Sequence, residues 1–219
     1  MKRVLGWVDF HRKDLWFSVL ANLLLLGFYA AVLRPVFETN DDMSIAFFVN
    51  RARPVQDPLW LFMNYFLGLV CSALYRITNM VPWYGLSQVV GIFAALASVT
   101  YVLLNSFQGW MGLLPALLIL NLFGADGSLS LQFTKTAGIA ASGGIFLMLY
   151  GISREKTERI SVFLGLLIAL YGYLLRSREF EAVLLVMALG GMYLLLSARK
   201  VKGEALPQER PDEERDGRK

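Results

Sequence analysis

Two adjacent carboxylates, Asp41 and Asp42, stand in a stretch, residues 37–48, that also holds Glu38 and Asn40 and follows closely on an apolar run over residues 15–33. Lipid offers an acid nothing, so acidic groups at the exit of a membrane helix are candidates for chemistry. A carboxylate there can take a proton from an acceptor hydroxyl, or hold an acceptor or a divalent cation (Mg or Mn) in place. Asp41 is the first choice for the catalytic residue and Asp42 the second, and both are the metal ligands if a metal is used. Glu38 and Asn40 lie beside them as substrate-binding candidates. The same residues also read as local structure, because Asn and Asp are favoured N-caps and Asn40 or Asp41 can simply start a short helix.

Cations supply the complementary chemistry. Arg binds phosphate through a planar two-pronged fork, which makes Arg176 and Arg178 the leading candidates for an anionic group, with Lys135 a third. Glu179 and Glu181 can pair with the two arginines when no anion is bound. Both arginines also fit a plainer role, snorkelling to lipid headgroups at a helix end. Gln132 and Thr134 can hydrogen-bond a polar substrate or cap the helix that follows them. Arg51 and Arg53 read as headgroup contacts.

These residues are spaced by long apolar blocks. Of 219 residues 56% are hydrophobic and only 17% charged, which excludes a soluble globular domain and predicts an integral membrane protein of all-α class. Lys and Arg sit at the edges of the blocks, where they serve topology and lipid headgroups, so nucleic acid is not expected as a partner despite the net charge of +4. His11 and Cys71 are the only residues of their kinds, leaving no His/Cys metal site and no internal disulfide.

Spans are predicted over residues 15–33, 85–104, 110–123, 133–152, 160–175 and 182–198. Between them lie a polar break at 105–108, a turn-rich loop at 124–130, a charged loop at 153–159 and a tight charged turn at 176–181. Trp83 and Tyr84 read as interfacial anchors. Gly138, Gly143 and Gly144 allow close helix approach, either inside the chain or to a partner membrane protein or a second copy. The block 58–75 is long enough to cross, but Asn64, Gly68, Ser72 and Arg76 put a polar or small stripe on one face, as in a re-entrant or juxtamembrane helix. Leaving that block uncrossed gives six spans and puts Lys2, Arg3, Arg12, Lys13, Arg154, Lys156, Arg159 and the basic start of the tail on one side, the cytoplasmic one; crossing it gives seven spans and breaks the positive-inside tendency. The expected organisation is one transmembrane domain over residues 1–198, a disordered cytoplasmic tail over 199–219 and a multi-pass place in a bacterial cell membrane, both termini inside. The acidic stretch, the loop before Lys135 and the turn at Arg176 then share the outer face.

An acidic pair in the first outer loop, followed by juxtamembrane helices before the chain crosses again, resembles the GT-C class of membrane glycosyltransferases. The ordered segments TNDD, DPLWLFMNYFLG, LYR, PWYG and QFTKTAG look like the N-terminal module of an uncharacterised bacterial multi-span family, over roughly residues 15–180. The resemblance implies a polyprenyl-phosphate-linked sugar as donor and transfer on the extracytoplasmic face, with Gln132 and Thr134 near sugar hydroxyls and Arg176, Arg178 and Lys135 near the phosphate. Such enzymes usually carry further spans, so a truncated module is also expected. Two other classes fit: a non-catalytic subunit that binds the lipid-linked sugar or serves as a scaffold, and a flippase-like transporter, for which Asn22, Asn64 and Gln88 are the mid-span polar groups.

Overall fold

A computed structural model describes the backbone of residues 2–33, 35–38, 40–49, 63–107, 110–154 and 158–204, and the side chains of 14–32, 35–38, 41–47, 63–107, 110–154 and 158–193. Helix dominates: α1 (Lys2–Leu33), α2 (Asn40–Val49), α3 (Tyr65–Ile77), α4 (Trp83–Ser106), α5 (Trp110–Leu129), α6 (Phe133–Ser153), α7 (Arg159–Leu175) and α8 (Ser177–Glu204), with two short strands, β1 (Val36–Phe37) and β2 (Ser130–Leu131). The segment Asp14–Val32 of α1, with α4, α5 and α6, is long and apolar enough to cross a membrane, which marks the chain as a membrane protein. Their outward faces carry Leu24, Phe28, Leu118 and Leu122, exposed as lipid-facing side chains are. The remaining predicted spans fall on α7, 17 residues, and α8.

The chain divides into two compact units, Met1–Val183 and Leu184–Lys219. In the second, α8 continues to Glu204, and Leu185, Val186 and Tyr193 are exposed along it. The rest of the predicted tail lies outside the described residues, as do Arg51, Arg53 and the start of the 58–75 block.

Within the first unit the most extensive packing joins α6 to α7. Small residues make it possible. A Cβ on Gly165 would sit 2.6 Å from the Gly144 carbonyl oxygen, and one on Gly172 would sit 2.8 Å from Ala137 O, so the two backbones touch. Gly143 does the same toward Ala95 of α4. Gly143 and Gly144 are therefore used inside the chain, while Gly138 faces open space. Leu26, Ile92, Leu96, Leu120 and Leu131 form the core between α1, α4 and α5, and Tyr84, Phe133, Cys71, Tyr75 and Leu175 form another at the α4 N-terminus.

The first departure from the expected elements is the turn-rich loop at 124–130, which is helical up to Leu129. Gly124 and Gly127 are not turn formers here: Gly124 packs on Leu26 and Leu96, and Gly127 on Ile92 and Ile139. The second is the charged turn at 176–181, which shrinks to Arg176 because α8 starts at Ser177. In the 58–75 block a bend at Met63 and an N-cap at Asn64, whose Oδ1 accepts from Phe66 N at 3.0 Å, leave α3 only 13 residues. That is about 20 Å at 1.5 Å per residue, against a hydrocarbon core of about 30 Å. Tyr65, Phe66, Leu69 and Val70 line its exposed face, and Leu67, Gly68, Cys71 and Tyr75 its buried one.

Candidate functional site

The two strands decide what meets at the acidic end of the bundle. β1, just after α1, pairs in parallel with β2, just before α6, in the register Val36 to Ser130 and Phe37 to Leu131, and Glu38 N extends the ladder to Leu131 O at 3.0 Å. This clamps the start of the acidic stretch to the N-terminus of α6. Glu38 then reaches Lys135, whose Nζ forms an ion pair with Glu38 Oε2 and a second with Asp126 Oδ1 at 3.0 Å.

Asp42 lies in the first turn of α2 and is fully buried. Its Oδ1 accepts from Tyr84 Oη at 2.9 Å, from Gln88 Nε2 at 3.1 Å and from the backbone N–H of Phe133 at 3.0 Å. Gln88 in turn accepts from Thr136 Oγ1 at 3.1 Å, and Tyr84 N donates to Tyr75 Oη at 3.2 Å. One carboxylate thus ties α2 to α4 and α6, and α4 in turn is bonded to α3 through Tyr75. All three donors point at one oxygen, and Phe133 opens α6, where the helix N-terminus attracts negative charge. Gln132, the N-cap residue of α6, makes no side-chain cap bond; Asp42 takes that part from elsewhere in the chain.

Asp41 precedes it on α2 and is exposed. Successive helical residues point about 100° apart, from 3.6 residues per turn, so the pair does not converge. With Oδ1 of Asp42 engaged by three donors, Asp41 and Asp42 do not fit a shared divalent cation, and no cluster of three His, Cys, Asp or Glu side chains suited to a metal occurs among the described residues.

Arg176 is the hinge residue between α7 and α8, its N–H bonded to Gly172 O at 3.0 Å. The guanidinium Nη1 donates to Thr134 Oγ1, Nε stands 3.5 Å from Glu179 Oε1, and the group lies over the Phe133 ring, 4.9 Å from its centroid. The Arg–Glu179 pairing expected from sequence is present, whereas Arg178 is exposed in the first turn of α8. Asn40 opens α2, and its side chain lies outside the described ones.

Sequence reasoning passed over Tyr84, Thr136 and Phe133. Tyr84, read as an interfacial anchor, is fully buried and bonded to Asp42. Its spacing of four from Gln88 puts both on one face of α4, a signal visible in sequence only once α2 is known to face them. The three mid-span polar groups also have structural partners: Asn22 Nδ2 donates to Thr100 Oγ1 at 3.2 Å, Gln88 bonds Asp42, and Asn64 caps α3. No protein-family model, curated protein or solved structure matches this chain.

Proposed function

We propose that the acidic end of the bundle is a GT-C-like site that transfers a sugar from a polyprenyl-phosphate donor to an acceptor hydroxyl on the extracytoplasmic face of a bacterial cell membrane, either alone or as a module of a larger assembly. The observation that carries this reading is that the first turn of α6 joins acid and base: Phe133 N–H holds Asp42, and Thr134, the next residue, holds Arg176. An exposed acid, Asp41, therefore stands beside a fixed one, at the same end as Lys135, Arg176 and Arg178.

In this scheme Asp41 accepts the proton of the acceptor hydroxyl, whose oxygen forms the new bond to the anomeric carbon. The bond from that carbon to the phosphate oxygen breaks, and the polyprenyl phosphate leaves with its electron pair, its charge met by Arg176 and Arg178. Asp42 is a positioning residue that keeps α2 against α4 and α6. Glu38 orients Lys135, and Gln132 and Thr134 face the sugar.

That the stretch between α1 and α4 makes no net crossing is supported by the return of the chain, since α1 ends and α4 begins beside the same α6 N-terminus; six spans with both termini cytoplasmic is the reading that then agrees with the positive-inside tendency. The test is sugar transfer from a polyprenyl-phosphate donor by the reconstituted chain, wild type against Asp41→Asn. Loss of transfer with donor binding kept supports catalysis. Donor binding without transfer in both proteins points to the binding-only subunit, and no binding in either removes the site altogether.

A further inference from the structure

Two cations stand at the N-terminus of α6, and they are not equally committed. Lys135 Nζ already meets two carboxylates, Glu38 and Asp126. Arg176 meets one, Glu179, and its 3.5 Å to Nε is an ion-pair distance, longer than an ordinary hydrogen bond. The rest of the guanidinium is held by uncharged groups. Nη1 donates to Thr134 Oγ1, and the group lies over the Phe133 ring, 4.9 Å from its centroid. Nη2 meets no acceptor among the described residues, and the side chain is partly exposed. The edge formed by Nε and Nη2 is therefore the one that can take two phosphate oxygens, and Glu179 stands at its Nε corner.

Glu179 is tied to that corner by the backbone. It lies in the first turn of α8, three residues after Arg176, and Phe180 N bonds Arg176 O at 3.3 Å. The Phe180 ring also packs edge-on against Tyr173 of α7, with centroids 5.5 Å apart, which holds this turn against the end of α7. A phosphate seated on the fork thus has a fixed carboxylate beside it.

The charge on that phosphate changes during the transfer proposed above, on which this inference rests. The donor is a phosphodiester with one negative charge. Once the bond from the anomeric carbon to the phosphate oxygen breaks, the leaving polyprenyl phosphate is a monoester, with a charge of about −2 at neutral pH. An arginine alone holds a dianion better than a monoanion, so the product would compete with the next donor. We infer that Glu179 is a specificity-determining residue that cancels this preference, its charge repelling the second negative charge of the product so that the spent lipid leaves. One extra charge about 4 Å from another costs about fivefold in affinity even at the dielectric of bulk water.

The experiment is calorimetric titration of the full chain in uncharged detergent, near pH 8, with farnesyl phosphate and with its methyl ester, which share a hydrocarbon chain and differ by one charge. Glu179→Gln should shift the ratio of the two affinities toward the monoester by about fivefold. Glu181→Gln, the same change at a nearby exposed acid, should leave the ratio as it is. Arg176→Gln should weaken both ligands by about tenfold. An acid in the first turn of a helix also stabilises that helix, and if Glu179 does only this, Glu179→Gln lowers the unfolding temperature and leaves the ratio unmoved. That outcome overturns the inference while the phosphate site stands, and so does an equal shift in Glu181→Gln, which would make surface charge and not position the cause. Two ligands bound equally well by wild type and Arg176→Gln place the phosphate elsewhere and overturn it too. No binding of either ligand by wild type removes the site and the inference together. Thermal unfolding identifies the folded variants; should Glu179→Gln not be among them, Glu179→Asp, which draws the charge back by one methylene, should shift the ratio the same way by a smaller factor, and no shift overturns the inference.

Discussion

Asp41 and Asp42 have opposite fates because a helix turns each residue to a new face. Asp42 is held by three donors, and each hydrogen bond to a charged group contributes on the order of 1.5 to 3 kcal/mol, which offsets the several kcal/mol that burying a carboxylate costs. Asp42→Asn keeps the shape but gives up the charge, so we expect a loss of roughly 2 kcal/mol in denaturant unfolding in detergent, and a larger loss for Asp42→Ala, which leaves Tyr84, Gln88 and Phe133 N–H without an acceptor. Asp41→Asn should move stability by no more than about 0.5 kcal/mol, as exposed substitutions do, while abolishing transfer. A stability loss at Asp41 equal to that at Asp42 would make it a second brace and remove it from the chemistry. For the arginines the comparison is Arg to Lys. Arg176 uses two nitrogens of its fork, on Thr134 and Glu179, so Arg176→Lys should weaken binding of a polyprenyl-phosphate analogue by about tenfold. Equal affinity in wild type, Arg176→Lys and Arg178→Lys would leave both arginines with headgroup contacts only.

At the scale of elements, α6 is the part on which the others are assembled: α4 and α7 pack on its two sides and its N-terminus receives β1, Asp42 and Arg176. Its glycines make opposite predictions although they are close in sequence. At Gly144 a Cβ would run into the backbone of α7 at Gly165 and Ala169, so Gly144→Ala should destabilise by about 1 to 3 kcal/mol, the cost of overpacking. At Gly138 nothing lies within 4 Å, so Gly138→Ala should gain up to about 1 kcal/mol through helix propensity. Thermal unfolding of the two variants side by side reads the difference, and the same sign for both would show that α6 and α7 are not in backbone contact. The glycines of α5 teach a related point: with Asp126 between them, Gly124 and Gly127 carry the composition of a turn, but packing against Leu26 and Ile92 keeps them helical.

For the whole molecule, the expectation that both termini and the 153–159 loop face the cytoplasm can be read by labelling single introduced cysteines with an impermeant thiol reagent. Native Cys71 should stay silent: it is almost fully buried on α3, and that burial pushes its thiol up to about 11, which lowers the reactive thiolate near pH 8 about a hundredfold from an ordinary cysteine. Labelling in a Cys71→Ser background guards the result, and outside labelling of the 153–159 loop or the tail would overturn the six-span topology. Long apolar blocks made the helices and their membrane setting legible in the sequence, because bilayer thickness sets a length that composition alone can meet. The acidic stretch, Lys135 and Arg176 were legible too, as charges beside apolar runs. What each charge does was not, since that depends on which face of one helix meets which face of another. Tyr84 and Gln88 are a common pair of residues until α2 lays Asp42 against them, and Asp42 looks like its neighbour until Phe133 N–H, 91 residues along the chain, reaches it. Local composition therefore decided that these helices form, and only their packing decided which carboxylate is fixed in the core and which is left facing outward.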